Sequence, residues 1–108
     1  MTLAAPKDHG AEARRLVAAA YAGRWRTKQK SRQDARKRAD EWLAGVEDET
    51  EARLIGEGIR SVAVEAICAQ HPTLSPGYVA NVVRQLCAGE RALSAGWRER
   101  LVGLGGAS

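Results

Sequence analysis

Apolar residues recur along this chain at intervals of three and four, and nowhere in the strict alternation of a strand. That period predicts helices, because positions i, i+3, i+4 and i+7 fall on one helical face. In residues 11–22, AEARRLVAAAYA, Leu16 pairs with Ala20 and Val17 with Tyr21 among good helix formers, and Gly23 interrupts the run. Ser31 and Asp34 have the spacing of a capping box. Ala35, Ala39, Trp42, Leu43 and Val46 follow as a stripe, with Arg32, Arg36, Lys37 and Asp40 largely off it. Glu47, Asp48 and Glu49 place carboxylates where the dipole of a helix starting near Thr50 favours them. Ala52, Ile55 and Ile59, with Leu54 beside them, give that helix its apolar members, while Gly56 and Gly58 weaken it. Ser61 is expected to cap a separate helix, in which Val64, Ile67, Cys68 and His71 follow the helical period. Pro72 disfavours the α conformation at His71 and ends this helix near Gln70.

Residues 71–86, HPTLSPGYVANVVRQL, carry the clearest signals. Ser75 is a good N-cap and Pro76 suits the first helical position. Val79, Val82, Val83 and Leu86 form an apolar stripe, and Gly89 supplies the stop. Ser94 caps a last helix that buries Trp97, Leu101 and Leu104 and ends at Gly103, Gly105 and Gly106. The expected fold class is all-α. A compact helical domain over residues 31–108 follows a basic N-terminal arm over residues 1–30 that is helical or partly disordered. The pattern leaves open whether residues 11–46 pack on the domain.

With 108 residues, 44% of them hydrophobic and no Phe, the core must be modest and built mostly of Ala, Val, Leu and Ile. No apolar run reaches membrane-span length and the first residues lack a signal-peptide core, so a cytoplasmic location is expected. Cys68 and Cys87 fall within apolar helical patterns and are expected to be buried, reduced thiols. With two distant His they do not make a zinc spacing. There is no Gly-rich phosphate loop, no Ser/His/Asp or Cys/His set and no paired-carboxylate motif. The expectation is therefore a non-enzyme without metal, cofactor or small-molecule substrate. The acidic cluster near Glu49 lacks the spacing of a calcium loop.

Charge is unevenly placed. Residues 1–40 carry 11 Lys and Arg against 4 Asp and Glu, whereas residues 41–108 carry 6 against 9. Arg24, Arg26, Lys28, Lys30 and Arg32 cluster around Trp25. Clustered cations gain by displacing counterions from phosphate, which points to a polyanionic partner.

Two helices at 62–70 and 76–88, joined by a turn with Leu74 at its centre, resemble the helix-turn-helix of small phage repressors of the lambda repressor/Cro type. Ala69, Leu74, Val79 and Val82 stand at the positions where that family packs one helix on the other. The continuation AGERALSAGWRERLVGLG is also similar, and the resemblance covers roughly residues 50–105. Thr73 stands where the family usually has Gly, and Glu65 where a phosphate-touching Gln commonly opens the first helix. The resemblance implies a double-stranded DNA partner, a homodimer, and a transcriptional regulator of phage or mobile-element origin. Opposite the valine stripe lie Gly77, Ala80, Asn81, Arg84 and Gln85. Asn81 suits adenine, Arg84 suits guanine, and Gln85 offers a second amide. Ser75, Gly77 and Tyr78 are placed for the DNA backbone, and Arg24, Arg26, Lys28, Lys30 and Arg32 for further phosphates. The dimer surface is expected on the helix with Trp42 or on the helix with Trp97. Two other readings use the same scaffold: a protein-binding regulator of the antiactivator or antitoxin kind, and a small phage DNA-packaging subunit. The latter usually adds a long oligomerisation helix, and only about 20 residues follow here.

Overall fold

The alanines of the first helix set the architecture. A computed structural model describes residues 10–24 and 29–105, which form five helices and no strand among the described residues. They are α1 (Ala11–Arg24), α2 (Gln29–Ala44), α3 (Glu49–Gln70), α4 (Pro76–Ala88) and α5 (Ala95–Gly105). The expectations placed on residues 1–9, 25–28 and 106–108 lie outside the described residues. The fold is all-α, as the hydrophobic period predicts.

Helix α1 touches each of the other four helices. Small side chains make this possible, since Ala13, Ala18 and Ala20 let neighbouring backbones come close on more than one side. Ala13 and Val17 lie in the same buried cluster as Ile59 and Ile67 of α3, Val79, Val82, Val83 and Leu86 of α4, and Leu101 of α5. The sequence divides the chain at residue 30, yet α1 lies within the first part and supplies core residues to the second. At the start of α1, Arg14 Nη1 donates to the carbonyl of Cys87 at 2.9 Å, closing α1 onto the end of α4.

Helix α2 begins at Gln29, so Ser31 lies inside the helix rather than capping it. Ala35 and Ala39 are buried and Trp42 is half-buried, as their stripe predicts. Leu43 is instead 41% exposed. It follows Trp42 by about 100° of helical rotation and so leaves the packed face.

Helix α3 differs most from expectation. It is one uninterrupted 22-residue helix, with no break at Gly56, Gly58 or Ser61. Each mid-helix Gly costs about 1 kcal/mol. Burial of Ile55, Ile59, Ala63 and Ile67 at every fourth position outweighs that cost. Gly56 itself is buried where Trp42 of α2 approaches α3. The helix starts at Glu49, one residue before Thr50, and Asp48 caps it. The Asp48 carboxylate accepts from the Thr50 and Glu51 N–H groups at 2.8 and 3.2 Å. At the other end His71 N–H donates to the Ile67 carbonyl, and Pro72 prevents continuation.

A second correction concerns Ala69, which was expected to pack against the following helix. It is exposed. The buried line through Ala63 and Ile67 fixes the rotation of α3 and carries position 69 to the far side. Leu74 is half-buried in the turn, and Val79 and Val82 are fully buried. Cys87 is buried, which pushes its thiol up to about 11 despite Arg60 and Arg14 nearby. Cys68 is only half-buried, and both thiols are free. No helix among the described residues is long and apolar enough to cross a membrane.

Candidate nucleic-acid interface

Helix α4 is held at both ends by local chemistry. Ser75 Oγ accepts from Tyr78 N–H at 3.2 Å, and Pro76 occupies the first turn, where its missing N–H costs nothing. Gly89 ends the helix in the left-handed region at φ +77°. That conformation returns Gly89 N–H to the Leu86 carbonyl at 3.2 Å and Glu90 N–H to the Gln85 carbonyl at 2.9 Å. The chain reversal also carries Glu90 and Arg91 back beside the last turn of α4.

With Val79, Val82, Val83, Leu86 and Cys87 buried, the rotation of α4 is fixed. Gly77, Tyr78, Ala80, Asn81 and Arg84 are exposed, and Gln85 is half-buried at the edge. The residues assigned to base reading come together. Arg84 Nη2 donates to Asn81 Oδ1 at 3.0 Å, and Arg84 Nη1 lies 3.8 Å from a carboxylate oxygen of Glu90. Arg91 Nε donates to Gln85 Oε1 at 2.8 Å. Each amide thus has its oxygen occupied by a guanidinium while its NH2 group keeps two donors. Bidentate reading of adenine needs both the oxygen and the NH2 of an amide. On this helix it would require Arg84 to swing off Asn81, towards a base or phosphate of its own.

Tyr78, placed for the DNA backbone, is 47% exposed, and its ring centroid lies 6.2 Å from that of Trp97. The Arg100 guanidinium stacks over Trp97 at 4.7 Å. Trp97 itself is buried, so it packs α5 and does not offer a dimer surface. Sequence reasoning did not single out Glu90, Arg91 or Arg100 as neighbours of this face. The first two reach α4 only through the Gly89 reversal, and Arg100 only through the packing of Trp97.

The basic residues are placed differently. Arg24 ends α1, and Lys30 and Arg32 lie in the first turns of α2, while Arg26 and Lys28 fall outside the described residues. Helix α2 does not reach α4 among the described residues, since α1 and α3 are the helices it packs against. The fold therefore keeps the reading residues and the basic helix pair on separate elements. No group of three or more His, Cys, Asp or Glu able to hold a metal occurs among the described residues. Comparison with protein-family models, with curated proteins and with solved structures finds no match to this chain.

Proposed function

We propose that the protein is a sequence-specific DNA-binding regulator that lays α4 in a major groove, in the manner of small helix-turn-helix repressors. The carrying observation is the outer face of α4. Asn81 and Arg84 sit one turn apart on a helix whose opposite face is fully buried, with small residues at Gly77 and Ala80 beside them. A buried back face makes the helix rigid in rotation. Small residues allow its backbone near a groove wall. Amides and a guanidinium are the groups that discriminate base edges. Dimerisation on a two-fold site belongs to the same reading, with exposed Val102 of α5 as an apolar contact.

The test is binding to the DNA upstream of the protein's own gene and to unrelated duplex, over a salt series, for wild type and Arg84→Ala. The expected outcome is a wild-type preference for the upstream DNA that Arg84→Ala reduces by about 1–3 kcal/mol. A wild type without preference at moderate salt would sink the proposal. A second reading, a protein-binding regulator on the same scaffold, is favoured by one feature. Glu90 lies against Arg84, so a carboxylate borders a face that phosphate would have to approach. Absence of DNA binding would move the search to protein partners.

A further inference from the structure

Helices α1 and α2 carry a concentration of charge that the reading face does not use. Residues 14–38 hold ten Lys and Arg against a single acid, Asp34. Between the two helices runs an open groove of about 340 Å³. Arg15 of α1 and Arg36 of α2 line it, over a floor that includes Ala18, Ala22 and Ala39, with Asp40 as its one carboxylate. Arg36, Lys37 and Arg38 are exposed and make no ion pair among the described residues. Three cations elsewhere are engaged: Arg98 by Glu12, Arg91 by Gln85, Arg84 by Asn81 and Glu90. Unpaired, clustered cations repel one another in the free protein, and a polyanion relieves that repulsion.

We propose that the α1–α2 face is a seat for the phosphate backbone of duplex DNA, independent of sequence and separate from α4, with Arg15, Arg36 and Lys37 as its contacts. Three features choose duplex DNA over other polyanions. The apolar stripe of α2, Ala35 and Ala39, is already buried, and the exposed Leu43 that also lines the groove is too little apolar surface to enter a bilayer. No aromatic side chain lines the groove among the described residues, whereas single strands are held by stacking on aromatic rings. Duplex DNA carries a phosphate charge about every 1.7 Å of its axis, dense enough to meet several cations on a short helix pair. The small residues of the floor leave room for a phosphate to approach between Arg15 and Arg36. This seat does not depend on the base-reading role of α4, because none of its contacts lies on α4 and, although α1 packs on α4, α2 does not touch it among the described residues.

The experiment measures binding of the full chain to a random-sequence duplex over a salt series. The variants are R15Q/R36Q/K37Q, R15K/R36K and Asp40→Asn, with a single-stranded RNA of equal length and phosphatidylserine vesicles as competing probes. Each contact contributes about 0.9 to the log–log salt slope. The triple Gln variant is expected to lose about 2–3 of that slope, with unchanged helix content and melting temperature. The Lys variant should keep the slope, and Asp40→Asn should bind more tightly. A wild-type slope in the triple Gln variant overturns the proposal. So does tighter wild-type binding to the RNA or the vesicles than to the duplex. The α4 reading fails by a different sign, the loss of preference between own and unrelated DNA, so the two failures are distinguishable.

Discussion

Gly56 and Gly58 lie two residues apart on α3, yet the space above them differs. A Cβ at position 56 would meet Trp42 Nε1 at 2.8 Å and Arg60 Nη1 at 3.0 Å, while at position 58 nothing lies within 4 Å. The end of Arg60 can swing away, but the indole of Trp42 is packed against the core. Gly56→Ala is therefore expected to destabilise the protein, overpacking costing about 1–3 kcal/mol against at most about 1 kcal/mol gained in helix propensity. Gly58→Ala is expected to stabilise it by about 0.5–1 kcal/mol. Urea unfolding of the two variants checks the pair, and shifts of the same sign would remove Gly56 from the α2–α3 contact. In the sequence both glycines are the same weakness in a helical period. Only the neighbour across the gap distinguishes them.

Helix α4 was legible as an element because its signals are local. Ser75, Pro76 and Gly89 act on their own backbone within a few residues, and the valine stripe needs no knowledge of what it packs against. The cap should be measurable. Ser75→Ala removes the acceptor of Tyr78 N–H and is expected to cost about 1 kcal/mol. The check is the unfolding midpoint, and an unchanged midpoint would show that water serves that N–H equally well. Helix α3 was less legible for the opposite reason. Its glycines and Ser61 are local signals for a break, and its continuity comes from burial of Ile55, Ile59 and Ile67 against other helices. The exposure of Ala69 follows from the same continuity, because one long helix has one rotation along its whole length. The residues assigned to base reading were found from the stripe alone, as everything opposite a buried face is exposed. Their partners Glu90 and Arg91 were not, because a chain reversal brings them there.

Across the whole molecule, Glu12 of α1 and Arg98 of α5 join positions 86 apart in sequence through two parallel hydrogen bonds of 3.0 and 2.9 Å. The Arg98 hydrogen bond holds the Glu12 carboxyl below its ordinary 4.5, aided by the charges of Arg98 and Arg15 and opposed by burial. Both side chains are nearly half exposed, 45% and 44%, so solvent screens the pair and its contribution is small. The sign is nevertheless fixed. A carboxyl whose folded value is lowered stabilises the fold above its unfolded value, and that contribution disappears as pH falls through the folded value. Glu12→Gln is therefore expected to melt below wild type at neutral pH, with the gap closing as pH falls past 4.5 and beyond. Thermal melts of both proteins across that range check it, and a gap that stays constant with pH would mean the pair contributes nothing through charge.

The sequence by itself determined the helical class, the span and both caps of α4, the exposure of Asn81 and Arg84, and the uneven charge. Each depends on period, composition or contacts within one turn. Tertiary structure decided that α1 belongs to the core, that α3 runs unbroken, and that α2 packs on α1 and α3 without touching α4 among the described residues. Those outcomes depend on which apolar surfaces meet. An alanine-rich helix such as α1 has no strong face of its own, so its place is set by the neighbours that close around its small side chains.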